Sequence, residues 1–413
     1  MTPEETREFN DMLEEIKASD CVDLQEIFYS MHMFRNPQFF QEIFEELMVI
    51  VADVLRGHPN LKKFCFIGYY HNSSTDEVLN KEKARQNLIL AAVLSNPTLT
   101  TLEISGSLYL EAAATLAQGI RQSTSLKALT VGLGSQVKEE PNVTTSAFNY
   151  LAEAIAHSRS IEKLTCSFEI SVPYPRNHLF PPETSASLKY LLQHNASITE
   201  ICIGDAREVL NEEDQTELVN GIIEGLSTNS TIKKVVLIQG RRDAPQILNT
   251  DFAIKVAEFL GTNSTIQEFH LEGDFRAKAF RPPLTASAAK AFAAALQNNY
   301  TLLKLTLPKA GPASKEAMET IQALLERNNQ IHLERLKKES EEENYKEFAE
   351  AESIAQLPGV LSESDPQQGV SLQGLNDEQH PENASLLPQF ESQNFTPANA
   401  ELQAYAPFTC ALL

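Results

Sequence analysis

The residues best placed to do chemistry sit at the end of the chain. Cys410-Ala411-Leu412-Leu413 sets a cysteine four from the terminus, then two aliphatic residues, then leucine. This matches the C-a-a-X signal, in which the thiol receives a prenyl group, and a final leucine selects geranylgeranyl. The expectation is modification at Cys410 by a prenyltransferase, with attachment to a cytosolic membrane face. Stable attachment takes two signals. No basic run and no second cysteine lies near Cys410, so a second contact has to come from elsewhere. The competing reading is capture of a hydrophobic C-terminus by a peptide-binding domain through its carboxylate.

Arg207, Arg241, Arg242, Arg276, Lys278 and Arg281 are the candidates for that second contact. They form a basic group on a chain whose formal net charge is −22. An acidic partner or lipid headgroups would suit them. The bland alternative is pairing with neighbouring carboxylates such as Glu208, Asp243 or Asp274. Enzyme chemistry has no visible basis: there is no glycine-rich phosphate loop, G-x-S-x-G, His-Glu-x-x-His or metal-spaced cluster. His178 and His270 read as surface histidines, and Cys65, Cys166 and Cys202 as packing or surface residues. No cofactor or metal is expected, and the strong negative charge argues against nucleic acid as a general partner.

A repeated phrase supplies the elements that must position these groups. It reads Asn96-Pro97-Thr98-Leu99-Thr100-Thr101-Leu102-Glu103-Ile104 and returns from Asn195, Asn229, Asn263 and Asn299, with weaker copies from Leu61, Leu126 and Ile161. The first apolar anchors are 61, 99, 126, 161, 198, 232, 266 and 302, so the separations are 38, 27, 35, 37, 34, 34 and 36. A sustained period of this length indicates a solenoid. The apolar-x-x-apolar-x-apolar core is a short strand, and an amphipathic helix follows each, as at Ala112 to Arg121, Leu218 to Leu226, Phe252 to Leu260 and Ala288 to Leu296. The recurrent asparagine falls just past a helix end, where a left-handed cap is expected. That role outweighs glycosylation of the Asn-x-Ser/Thr triplets, since no secretory signal is visible at the N-terminus.

This pattern resembles leucine-rich repeats, specifically the long strand–helix type of ribonuclease inhibitor. The resemblance implies an α/β solenoid of about eight repeats, with a curved parallel sheet inside and helices outside. Binding would use the concave strand face and the loops beside it, where Thr101, Glu103, Lys163, Thr165, Glu200, Lys234, Glu268, His270, Lys304 and Thr306 are the outward positions. Stacked loops would bring the six basic residues to one edge over three repeats. A narrower, local resemblance links Asn299-Tyr300-Thr301-Leu302-Leu303-Lys304, Gly311-Pro312 and Asn328-Asn329 to the last repeat of the tropomodulin leucine-rich domain.

The expected organisation is a helical N-terminal cap at 1–57, the solenoid at 58–330, a charged helix at 331–356 and a tail at 357–413. The cap begins at Thr2-Pro3-Glu4-Glu5, a good helix start, and restarts after Asn36-Pro37. The tail has no Lys or Arg and is rich in Pro, Gln, Ser and Asn, a composition that predicts disorder. With no apolar run long enough to span a bilayer, the expected location is cytoplasmic, peripheral on membranes. In a bacterial chain the C-a-a-X tail would act only inside a eukaryotic host, as an effector. The function expected is a non-enzymatic adaptor or scaffold for a protein partner of unknown identity. An actin-filament regulator of tropomodulin type and a ubiquitin-ligase substrate receptor docking through 1–57 are the alternatives.

Overall fold

The computed structural model describes residues 3–23, 37–68, 76–106, 108–135, 141–170, 182–204, 212–239, 250–273, 284–308, 311 and 314–355. The chain divides into two compact units, Met1–Phe348 and Ala349–Leu413. Cys410 and the whole of 357–413 lie outside the described residues.

The first unit is a leucine-rich-repeat solenoid. In chain order its elements are α1 (Pro3–Ala18), β1 (Cys21–Asp23), α2 (Pro37–Gly57), β2 (Lys63–Gly68), α3 (Asp76–Leu94), β3 (Thr101–Gly106) and α4 (Leu110–Gln122). Then follow β4 (Ala128–Ser135), α5 (Pro141–His157), β5 (Lys163–Ile170), α6 (Pro182–His194), β6 (Glu200–Gly204) and α7 (Glu212–Thr228). The rest is β7 (Lys234–Gln239), α8 (Thr250–Thr262), β8 (Glu268–Gly273), α9 (Ala286–Asn298), β9 (Lys304–Thr306) and α10 (Lys315–Ala355). The nine strands form one parallel sheet in the order β1 to β9. No described helix is long and apolar enough to cross a membrane.

Register explains how repeats of unequal length build one sheet. Lys63, Thr101, Ala128, Lys163, Glu200, Lys234, Glu268 and Lys304 are direct partners from strand to strand. Each is the second residue after its apolar anchor, so all the length variation falls in the connections. A one-residue slip would have turned the core side outward. The inward positions Phe64, Leu102, Leu129, Leu164, Ile201, Val235 and Phe269 are fully buried, as are the anchors. On the helices, Leu116, Leu151, Leu188, Val256 and Phe292 face the same core.

One strand lies upstream of the eight visible in the sequence. Cys21, Val22 and Asp23 pair with Lys63, Phe64 and Cys65 and form the sheet's first edge. The phrase is hard to see there because Val22 is the single inward apolar residue of a three-residue strand. At the other end, α10 begins at Lys315 and runs without a break through residue 330 to Ala355. Its first turns bury Ala317, Ile321 and Leu325, while residues 333–346 are all exposed.

The asparagine role differs from the expected one. Among the described residues no non-glycine has positive φ, and Asn299 is extended at φ −92°, ψ 125°. The side chain makes the connection instead. Asn195 donates to the carbonyls of Ile155 and Ser158 in the preceding repeat, at 2.7 and 3.3 Å. Its Oδ1 accepts from the amides of Ser197 and Ile198 at 2.9 and 2.7 Å. Asn96, Asn229 and Asn299 donate in the same way to the repeat before them. Helix ends leave carbonyls without intrahelical partners, and these amides satisfy them inside the core. The four are 2–6% exposed, which keeps them from any glycosylating enzyme.

The row has its own ends. His58 stands in the first asparagine position, donating from Nε2 to the Ile16 carbonyl at 2.8 Å and accepting the Asn60 amide on Nδ1 at 3.1 Å. Those two bonds require the neutral Nε2–H tautomer, and they tie α1 to the body. Asn328, within α10, donates to the carbonyls of Asn299 and Leu302 and closes the far end. Beside it Arg327 bonds the carbonyls of Leu296, Gln297 and Asn299, with its guanidinium 4.3 Å from the Tyr300 ring centre.

Candidate functional site

The concave sheet face is built by alternation: in each strand the residues between inward apolar ones point away from the helices. Register sorts them into rows. The first row runs Lys63, Thr101, Ala128, Lys163, Glu200, Lys234, Glu268, Lys304. Its charges pair across repeats. Glu200 lies between Lys163 at 3.2 Å and Lys234 at 2.7 Å. Lys304 approaches Glu268 at 3.9 Å, and Lys63 meets Glu103 of the next row at 2.8 Å. Burial pushes the Glu200 carboxyl up, but hydrogen bonds and charge from Lys234 and Lys163 outweigh it and hold the group below the ordinary carboxylate range. The ladder therefore neutralises itself on a chain of formal charge −22.

The second row is Cys65, Glu103, Thr130, Thr165, Cys202, Val236, His270, Thr306. The third is Ile67, Ser105, Gly132, Ser167, Gly204, Ile238. Small side chains thus occupy the middle of the face. A Cβ on Gly132 would come within 3.0 Å of Ser167 Oγ and 3.4 Å of the Ile104 carbonyl, so the strands are tightly fitted at that point.

His270 corrects the expectation of a surface histidine. It is 5% exposed, with Nδ1 2.8 Å from Thr306 Oγ1 and Nε2 3.2 Å from Glu268 Oε2. Packing between the side chains of rows one and two covers it, which strand alternation alone does not reveal. The thiols behave as expected for packing residues. Burial, then the Glu103 carboxylate that accepts its S–H at 3.2 Å, pushes the Cys65 thiol far above its ordinary value. Burial, with a smaller effect of Cys202, pushes Cys166 up to about 12. Neither supplies a thiolate at neutral pH. Among the described residues no three His, Cys, Asp or Glu side chains group to hold a metal ion.

Arg207, Arg241, Arg242, Arg276, Lys278 and Arg281 all lie outside the described residues. The segments that carry them follow β6, β7 and β8, which are adjacent strands. On the helix layer, sequence reading missed one cluster. His157 on α5 and Tyr190 and His194 on α6 meet on the convex surface, with the Tyr190 and His194 rings stacked at 4.1 Å. Writing the helices in repeat register would have exposed it, because His157 and His194 each stand immediately before the asparagine-row position.

No family model matches the chain, and no curated protein matches it. Solved structures similar to it include the tropomodulin C-terminal domain of Caenorhabditis elegans, at 16% identity over 55% of this chain and 98% of that one, with a TM-score of 0.28. Another is leiomodin-1 actin-binding site 2, at 14% identity over 56% of this chain and 96% of that one, also with a TM-score of 0.28. Likeness at this level says nothing about a shared partner.

Proposed function

We propose that this chain is a non-enzymatic scaffold that receives a protein partner on the concave face of its solenoid. The observation that carries the reading is the composition of that face. Its charges are already paired between repeats, and its centre is lined by Thr130, Thr165, Ser105, Ser167, Gly132 and Gly204. Such a surface admits close approach of another backbone with little desolvation of unpaired charge. Photocrosslinkers placed at Thr130, Thr165 and Ser167 test it against one at Glu258 on the convex side. Discrete adducts from the concave positions in eukaryotic cytosol sustain the reading. Adducts from Glu258 alone would remove it.

In the fuller form of the proposal, geranylgeranylation at Cys410 brings the scaffold to a cytosolic membrane face, and the basic residues of 207–281 supply the second contact. In a bacterial source this would make the protein an effector working inside a host cell. The lipid step requires Cys410-Ala411-Leu412-Leu413 to be the true C-terminus of the chain. Intact mass from eukaryotic cells, with Cys410→Ser beside wild type, decides it. A cysteine-dependent adduct with the last three residues removed supports anchoring, and an unmodified terminus leaves a scaffold without it. Charge reversal at Arg241, Arg242 and Arg281 should then weaken membrane recruitment. Pointed-end actin assembly assays separate this reading from the tropomodulin-type alternative, which rests on the local resemblance of residues 299–329.

A further inference from the structure

The convex surface of most repeats presents carboxylates and small polar side chains. The residue just before each asparagine-row position is exposed throughout: Ser95, Gln122, His157, His194, Thr228 and Thr262. Four residues earlier stand Glu153, Tyr190, Glu224 and Glu258 in successive repeats. Two consecutive repeats thus carry imidazoles at one position, and the carboxylate row is interrupted by a tyrosine between them.

The hydrogen bonds fix the chemistry of this group. His194 Nδ1 lies 2.9 Å from the Tyr190 carbonyl oxygen. A carbonyl only accepts, so Nδ1 carries the proton and Nε2 keeps its lone pair. Donation from one ring nitrogen to a backbone carbonyl is the arrangement that orients a metal-ligating histidine. The Tyr190 ring stacks on His194 with 27° between planes, and its hydroxyl lies 3.3 Å from His157 Nε2. Tetrahedral zinc with bonds of about 2.0 Å sets its donor atoms about 3.3 Å apart. The adjoining charges are already matched, Glu153 with Arg121 at 3.3 Å and Lys189 with Glu224 at 2.5 Å.

We propose that His157, Tyr190 and His194 bind one borderline divalent cation, zinc(II). The two imidazole Nε2 atoms and the Tyr190 hydroxyl oxygen are the protein ligands, and water completes the shell. The ion joins the last turns of α5 and α6 and so clamps two consecutive repeats. Protonation of the imidazoles competes with the metal, so affinity falls as pH drops below the imidazole range.

The test is a zinc titration of the full chain, free of any histidine tag, by calorimetry and by competition with a chromogenic chelator. One saturable zinc per chain is expected, lost in His157→Ala and in His194→Ala, weakened in Tyr190→Phe and kept in His332→Ala. Zinc should also raise the melting temperature of wild type and leave that of His157→Ala unchanged. These side chains lie on the surface, so the variants should melt as wild type does without metal. Absence of saturable binding overturns the proposal, as does full-stoichiometry binding in both alanine variants, which would place the ion elsewhere. Unchanged affinity in Tyr190→Phe would overturn the three-donor assignment.

Discussion

Two stretches of the asparagine row face the same need with different residues. At Asn195, Asn229 and Asn299 one buried amide spans the gap between repeats, donating to two carbonyls behind it and accepting two amides ahead. At Ser123 and Ser158 the same position holds a side chain too short for that reach. Ser123 only accepts the Leu126 amide. In the next repeat two serines share the bonding. Ser158 Oγ meets the Ser160 amide at 3.4 Å, and Ser160 Oγ donates to the Ser123 carbonyl at 2.9 Å. Ser123 also closes the shortest interval of the solenoid, the 27 residues between the anchors at 99 and 126. What the solenoid requires is satisfaction of the exposed helix-end carbonyls inside a dry core, and residue identity is secondary to that requirement.

The comparison breaks most sharply at an asparagine. Asn229→Ala removes bonds to Leu192, Asn195, Thr231 and Ile232 and leaves buried carbonyls without donors. Loss of about 3 kcal/mol is expected in urea or thermal unfolding, since each orphaned buried group costs about 1–3 kcal/mol. A loss under about 1 kcal/mol would show that water replaces the amide.

Helix contacts give the next effect in size. A Cβ on Gly225 of α7 would sit 2.6 Å from Leu192 Cβ and 3.2 Å from the Lys189 carbonyl, both on α6. Overpacking of this kind costs about 1–3 kcal/mol, against a gain of at most about 1 kcal/mol from replacing glycine in a helix. Gly225→Ala should therefore destabilise. Gly57→Ala, where no atom lies within 4 Å of the added carbon, should not. Equal melting temperatures for the two variants would contradict the close approach of α6 and α7.

The serine pair predicts a smaller change. Ser160→Ala should cost about 1 kcal/mol, the worth of one side-chain hydrogen bond. Ser158→Asn sharpens the comparison, because a longer side chain there could take over the Ser123 carbonyl. Partial recovery of the Ser160→Ala loss in the double variant is the expected result, measured by the same unfolding curves.

The concave ion ladder contributes least at neutral pH. Glu200→Gln should cost about 0.5 kcal/mol, as exposed pairs are worth about 0–1 kcal/mol. The Glu200 carboxyl titrates lower folded than unfolded, so its contribution is present above the unfolded value. It disappears as pH falls through the depressed folded value. The difference between wild type and Glu200→Gln should therefore shrink in acid. A constant difference from about pH 7 down to about pH 3 would remove the ion-pair explanation.

Much of this molecule was legible in one sequence because a repeat states its own register. The anchors at 61, 99, 126, 161, 198, 232, 266 and 302 already fixed the strand partners, since each partner is the second residue beyond an anchor. The helical stripes and the inward strand residues followed from their periods of 3.6 and 2. Three features needed the tertiary structure. The asparagines were recognised but assigned a backbone role, because their partners lie 34 to 40 residues away in the previous repeat. β1 escaped notice because a three-residue edge strand buries only Val22 and leaves no pattern to read. His157 lies more than thirty residues from Tyr190 and His194 in sequence, and they meet only because consecutive helices stack side by side. Local periodicity is written into the chain, whereas a contact between repeats depends on how far one repeat rises above the last. That distance is set by packing, as where Gly225 lets α7 close on Leu192.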